Sequence, residues 1–411
     1  MSQANIVVGI DIGTSNIRTI VAEHAKNSDK PVVIGVGTSN SSGLRKGIVV
    51  DLESLINDIG SSVEQAERAS GAPINRVAVS INGDHFSAQK SKSVIAVSRA
   101  DGEISQEDVE RSIATAQAVS LSPNKEVIHV IPVNFSVDSE ENIKDPIGMH
   151  GTKLEVSTLI ISGNSSFIKN LIKGVNQSGL EINNLVLSPL AAARATLTKR
   201  QKESGVVLID IGAGTTGMAV FEEGSLLHAK IIPIGGSHIT NDIALGLRIS
   251  TEAAEKIKRD LGFAFLQEIS KKDRINLKDY DLGPKDVFIY RYHLAEIIEA
   301  RLAEIFEYVN KELKTIDKDG MLPEGAVISG GGSKIPGTID LAKKVLRLPA
   351  KIGVPNEMGG IVDKISDPSF ATATGLIFWQ IDQNEKEPPS GLSGILQIVK
   401  KTKEWFKLFL P

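Results

Sequence analysis

The chain has 411 residues, 41% of them hydrophobic and 23% charged, with a net charge of −4, seven histidines and no cysteine. That length exceeds one ordinary core and predicts two or more domains of a soluble globular protein. The mildly acidic balance argues against nucleic acid as a partner, and the lack of cysteine excludes disulfides and thiol catalysis while being compatible with the cytoplasm. The N-terminus lacks the basic and apolar regions of a signal peptide, and no run of ~18 apolar residues would span a bilayer.

In chain order, residues 6–10 and 17–22 read as two strands of a hairpin, with a third strand at 32–36. Helical spacing marks 52–69, which ends at Gly71, a good residue for a left-handed cap. A strand at 77–81, an alternating run at 86–97 and a helix from Ser105 to about Val119 follow. Strand character resumes at 127–137, interrupted by Pro132, and again at 156–162 after a turn-rich connection. A helix at 166–178, a strand at 182–187 and an Ala-rich helix at 189–198 restore a βαβ rhythm, and 199–204 reads as a polar joint.

The second half opens with a strand ending at Asp210, a hairpin partner at 217–221 and a strand at 226–233. Helices are expected at about 240–245, from Ser250 to near Gly262, and over 290–313, with 265–286 charged and irregular. A short buried strand at 325–329 runs into Gly330-Gly331-Gly332-Ser333. A helix at 337–345, a strand at 351–354 and a final helix at 370–380 complete the globular part, and the polar stretch 382–392 with Pro388-Pro389 reads as a linker.

Two runs carry the chemistry. Ile10-Asp11-Ile12-Gly13-Thr14-Ser15-Asn16 and Ile209-Asp210-Ile211-Gly212-Ala213-Gly214-Thr215-Thr216 each deliver an Asp from a buried strand into a Gly/Ser/Thr turn. Glycines let backbone N–H groups approach an anion closely, hydroxyls add donors, and carboxylates at the strand ends suit a Mg²⁺ that keeps several waters. One such turn is also what an ordinary hairpin looks like. Two of them half a chain apart, with a third glycine cluster at Gly330–Ser333, suggest related halves closing on one nucleotide. There is no G-x-x-x-x-G-K-[ST] loop and no G-x-G-x-x-G order, and the histidines fall singly, so P-loop, NAD and zinc chemistry are unsupported.

The ensemble resembles the actin/Hsp70/sugar-kinase superfamily through Asp11–Asn16, Ile209–Thr216, Ala326–Pro336 and the helical segments around Ala191 and Ala371–Gly375. Within it, Ile143–Met149 with Leu154-Glu155, Pro233–Gly236 with Thr240–Ala244, Ala253–Lys258 and the tail resemble the FtsA family of bacterial cell-division proteins. The resemblance implies an α/β, actin-like (ribonuclease H-like) duplicated two-domain nucleotide clamp with an inserted small subdomain and a C-terminal amphipathic helix. The implied layout is a first core half at 1–85 and 165–200, an insert at 86–164, a second half at 201–239 and 325–381, and a subdomain at 240–324. The linker at 382–392 and a helix at 393–411 would follow.

It further implies ATP held by Gly13, Thr14, Ser15, Asn16, Gly212, Ala213, Gly214, Thr215, Thr216, Gly235 and Gly236. Gly330, Gly331, Gly332 and Ser333 would line the nucleoside side, and Asp11 and Asp210 would sit near Mg²⁺. Glu255 and Lys258, three apart on one helix face, would reach ribose and base, although a solvated helix pair has the same spacing. Asn16 stands where many superfamily members place a Lys, so the first loop is expected to supply donors but no fixed charge. Asp210 is the one candidate to orient an attacking water, and slow or negligible hydrolysis is expected.

In the tail, Leu392, Ile395, Leu396, Val399, Phe406 and Leu410 follow three- and four-residue spacings, with Ile398, Trp405 and Phe409 widening the face. Lys400, Lys401, Lys403 and Lys407 stand against a single Glu404, which suits reversible, in-plane binding to an anionic membrane; a helix docked on the protein's own core is the alternative. The resemblance implies a peripheral protein on the cytoplasmic face of the membrane at the division site. Its partners would be itself in a filament, the C-terminal peptide of the tubulin-like protein FtsZ in a basic groove near Arg291 and Arg301, and later division proteins through the insert. Exposed helix charges would equally explain both arginines. A soluble phosphotransferase, a chaperone or an actin-like pilus-assembly ATPase are the competing readings.

Overall fold

The computed structural model describes residues 5–25, 30–118, 123–280 and 288–384. The first half opens with β1 (Asn5–Ile12), β2 (Asn16–His24), β3 (Val32–Asn40), α1 (Leu52–Ser70) and β4 (Arg76–Ile81). The inserted unit comprises β5 (Ser87–Ala96), α2 (Gln106–Ala118), β6 (Lys125–Val137), β7 (Glu140–Ile143) and β8 (Lys153–Asn164). The chain returns through α3 (Ser165–Gln177), β9 (Glu181–Leu187), α4 (Ser188–Thr196) and α5 (Lys199–Ser204). The second half has β10 (Val206–Ile211), β11 (Thr216–Glu222), β12 (Ser225–Ile232), α6 (Gly236–Leu247), α7 (Thr251–Leu261), β13 (Arg274–Asn276), β14 (Phe288–Tyr290) and α8 (Arg291–Lys314). It closes with β15 (Ala326–Ser329), α9 (Thr338–Leu346), β16 (Ala350–Ile352), β17 (Gly359–Gly360) and α10 (Ala371–Asn384).

The duplication is visible in the sheets. The first runs β9-β4-β1-β2-β3-β17 and the second β16-β15-β10-β11-β12. In each, three parallel strands are followed by two antiparallel ones, so β1 corresponds to β10 and β4 to β15. The parallel strands read as continuous apolar runs because both faces are covered: Val7, Val8 and Ile10 in β1 and Val206–Ile209 in β10 are all buried. The insert has its own sheet, β5-β8-β6-β7, over α2, with a separate core around Ile104, Val109, Ile113, Phe135 and Val156. It leans on the second half through Ser225, whose hydroxyl donates to the Val133 carbonyl at 3.0 Å, and on α5 just before it through a Lys144–Glu203 ion pair at 3.3 Å.

Local chemistry accounts for the element ends. Asp51 caps α1 by accepting from the N–H groups of Glu53 and Ser54, and Gly71 ends it at φ 69°. Residues 199–204 are a helix, where a polar joint is expected from the sequence, because Thr198 and Gln201 form a reciprocal capping box. Pro132 does not break β6. The register slips opposite Ser157/Thr158, leaving Val133 as a bulge, and β7 pairs only with residues 135–137, so Pro132 lies where that side of the ladder is open. Among the described residues 265–280 of a stretch expected to be irregular, two 3₁₀ turns and β13 form, with β13 pairing β14.

Helices α4 and α10 join the two halves. The missing Cβ of Gly375 would lie 1.8 Å from the Ala191 carbonyl oxygen, so the two helices meet at backbone contact. Helix α10 buries Leu376 and Trp379 in the core shared with α4, and Ala373, Ile377 and Ile381 against β1–β3. It also runs on through Asp382, where the linker is expected to begin, because Arg194 on α4 holds that carboxylate with two hydrogen bonds of 2.7 and 3.1 Å. The amphipathic tail expected at 393–411 and the remaining linker residues lie outside the described residues. Gly375→Val is expected to destabilise the protein by at least ~3 kcal/mol, since backbone on both sides of the clash cannot yield as a side chain would. Urea denaturation measures it, and an unchanged midpoint would refute the close crossing.

Candidate functional site

The two glycine turns close in the same way. Gly13 N donates to the Asn16 carbonyl at 3.1 Å, and Gly212 N to the Thr215 carbonyl at 2.9 Å. Each turn follows an aspartate at its strand end, and the neighbouring parallel strand supplies a serine to it. Ser80 Oγ donates to Asp11 Oδ1 at 2.8 Å, and Ser329 Oγ to Asp210 Oδ1 at 3.1 Å. Thr372, at the start of α10, adds a longer bond to Asp210 Oδ2 at 3.3 Å. Ser80, Ser329 and Thr372 are absent from the sequence-level site. Their signal is one hydroxyl ending an apolar strand, in Val79-Ser80 and Ile328-Ser329, which also describes a routine strand end.

Both aspartates are partly buried on the floor of the cleft. Burial pushes both carboxyls above their ordinary range; the Asp11 charge adds to this at Asp210, which is raised to about 6. The serine and threonine hydrogen bonds and the Arg18 guanidinium oppose the rise. Arg18 lies directly across the β1–β2 ladder from Asp11 and covers the Phe370 ring at 5.3 Å. The sequence predicts a first loop without fixed charge because of Asn16. Asn16 donates to Asn40 at 3.4 Å, and the fixed charge that acts on the two aspartates is Arg18, on β2 outside the loop.

The turns face each other across the cleft. A Cβ on Gly214 would lie 2.8 Å from Thr14 Oγ1, and one on Gly235 would lie 2.5 Å from the Gly212 carbonyl oxygen. Gly236 N and Ser237 N donate back to the carbonyls of Gly212 and Ala213, both at 2.8 Å, and fix the second turn against the start of α6. Thr216 is fully buried and donates to the Ile234 carbonyl at 2.8 Å, so it braces this turn from behind. Ser15 is exposed and Thr215 buried.

Lys258 and Glu255 on α7 lie beside Gly236. Lys258 Nζ donates to the Gly236 carbonyl at 3.0 Å, to Thr240 Oγ1 at 2.8 Å and to Glu255 at 2.6 Å, and Arg259 holds the other Glu255 oxygen at 2.9 Å. Gly330, at φ 81°, has no room for a side chain, since a Cβ would fall 2.5 Å from Asp210 Oδ1. Gly331 next to it meets nothing within 4 Å, leaving a bare backbone surface, and Ser333 Oγ ties the turn by donating to the Gly330 carbonyl at 2.7 Å. Among the described residues no cluster of three or more His, Cys, Asp or Glu side chains is placed to hold a metal.

Ten residues along α8 put Arg291 and Arg301 ~15 Å apart along the axis and about 80° apart around it, so they do not form one compact basic patch. Arg301 is bidentate to Asp242 of α6 at 2.6 and 3.0 Å and also bonds Glu304. Arg291 pairs loosely with Asp273 at 3.5 Å.

The raised Asp210 fixes a sign. Between its ordinary 3.8 and about 6 the folded protein binds the proton that the unfolded chain releases, so stability falls as pH rises through that window. Without nucleotide or divalent cation, Asp210→Asn should stabilise the fold near neutral pH by about 1–3 kcal/mol and show no gain at about pH 4. Urea midpoints at the two pH values check this.

Comparison with known proteins supplies the family. Residues 207–375 match the family model "Cell division protein FtsA", and 83–162 match "SHS2 domain inserted in FTSA". The chain is 40% identical to the FtsA of Bacillus subtilis over 92% of its own length and 84% of that protein. It is 37% identical to the FtsA of Borreliella burgdorferi over 98% of both. Among solved structures, the PilM–PilN type IV pilus biogenesis complex is similar with a TM-score of 0.66 at 16% identity, covering 93% of this chain and 99% of that one. MreB5 of Spiroplasma citri bound to ADP is similar at 0.56 and 15%, with the same coverage. At those identities the likeness establishes the actin-like fold alone, and the pilus reading gains no more than that. The matches at 34–40% identity, spanning 92–98% of this chain, are to cell-division proteins, and the chain belongs to the FtsA family.

Proposed function

We propose that this cell-division protein binds ATP with Mg²⁺ between its two halves and uses the nucleotide to set their relative orientation, and with it the contacts of a filament. The observation that carries the reading is the duplicated cradle: two identically closed glycine turns, each behind an Asp–Ser pair, meeting at Thr14 and Gly214. The backbone N–H groups of Thr14–Ser15 and Ala213–Thr215 would offer donors to phosphates, and Gly331 a flat surface to the nucleoside. Two carboxylates that burial holds in an unfavourable charged state fit a hydrated divalent cation, which would supply charge neutralisation to both. Asp210 is hydrogen-bonded on both oxygens, so it is restrained as a base for water. Slow turnover and a switch-like role follow.

The membrane reading rests on the sequence of 393–411, an apolar face flanked by four lysines, and many copies in a polymer would turn modest affinity into firm attachment. The FtsZ peptide is assigned to the α8 side of the 240–324 region, with the insert, 86–164, kept for later division proteins. Arg291, the looser of the two arginines, is the better placed to exchange its carboxylate for an acidic peptide.

Gly214→Val fills the meeting point of the turns and should abolish ATP binding in equilibrium dialysis while lowering the melting temperature only modestly. Retained affinity would contradict the cleft assignment. For the tail, the full chain with ATP should co-sediment with anionic liposomes and a chain ending at Asn384 should not. That end point keeps the Arg194–Asp382 bond intact. Equal lipid binding by both would remove the tether reading.

A further inference from the structure

Between β3 and α1 the chain makes a two-residue-tipped hairpin, Leu44–Arg45 against Ile48–Val49, with Lys46 and Gly47 at its tip. Both tip residues have positive φ, 51° and 75°, as such a turn requires. Glycine adopts this freely, and lysine does so at a cost.

The tip is wedged into the cleft. Gly47 N donates to Thr14 Oγ1 at 3.1 Å, and a Cβ on Gly214 would lie 3.1 Å from the Lys46 Cα. Lys46 thus stands where the two glycine turns meet. Its charge also bears on His238, in the first turn of α6 on the opposite half. Other lysines around the cleft are held by carboxylates, Lys258 by Glu255 and Lys334 by Asp367. Lys46 is exposed, and among the described residues no carboxylate pairs with it.

We propose that Lys46 is a phosphate ligand that reads the terminal phosphate of a nucleoside triphosphate. The assignment rests on the nucleotide reading above. On that reading Gly331 and the Glu255–Lys258 pair flank the nucleoside end, so a cation at the Thr14–Gly214 end would meet the phosphate farthest from the sugar. A mobile ammonium on a rigid tip contributes only when that phosphate is present, and it therefore separates triphosphate from diphosphate rather than strengthening both.

The test compares ATP and ADP affinities, with Mg²⁺, for the full chain and for Lys46→Asn, chosen because asparagine tolerates positive φ. ATP affinity should fall about tenfold and ADP affinity by less than about twofold, the size of one charge-assisted contact. Lys46→Arg should keep most of the preference for ATP, and melting temperatures should stay close to that of the unaltered chain. Equal losses for both nucleotides, or no loss for either, would overturn the assignment. If the unaltered chain binds neither nucleotide, the nucleotide reading itself fails, and this assignment with it.

Discussion

The Ala191 carbonyl oxygen occupies the space where a side chain on Gly375 would begin, so α4 and α10 cross with nothing between their backbones. This contact sets the distance between the halves. Pro189, at the start of α4, presses its ring on Gly217 of β11, and α10 presses Ala373 and Leu376 on Gly9 of β1. Each joining helix therefore packs at a glycine in the strand hairpin of a core half. The strand ends carrying Asp11 and Asp210 are held together by that packing, and a wider crossing would separate the carboxylates and the glycine turns behind them.

Bringing two aspartates to one cleft floor is electrostatically unfavourable by itself. Their pKa values rise, and the fold offsets part of the cost with Ser80, Ser329, Thr372 and the guanidinium of Arg18. The residual cost would be relieved by positive charge at the cleft floor. The same floor carries donor-rich turns that favour negative charge. On the proposed reading, a cation and a polyanion together would satisfy both demands, whereas either alone would leave one unmet.

Much of this was legible in the residues. The Asp-Ile-Gly turns, the capped helix α1 and the long helix α8 stand in the sequence close to where they stand in the fold, because each is set by its own neighbours. Arg18, Ser80 and Thr372 were not legible, since their roles come from strand register and helix docking between positions up to 162 residues apart. The Thr198–Gln201 capping box was present in the sequence, and the short polar helix it starts was hidden by the absence of an apolar stripe. Arg301 was legible only as a basic residue on an amphipathic helix, and its intramolecular partners Asp242 and Glu304 came from tertiary packing and the next helical turn.

The end of α10 has a mechanical consequence. Asp382 is clamped by Arg194 within the last turn, Arg194 itself lies over the Phe378 ring at 4.8 Å, and Gln380 accepts from Val8 N of β1 at 3.0 Å. Any pull on the chain beyond Asn384 therefore arrives first at this clamp and is spread as shear into α4 and β1. It does not peel the helix away one turn at a time. The opposite end of α10 carries Thr372 to Asp210, so one helix links the Asp382 clamp to the cleft floor, some ten residues away.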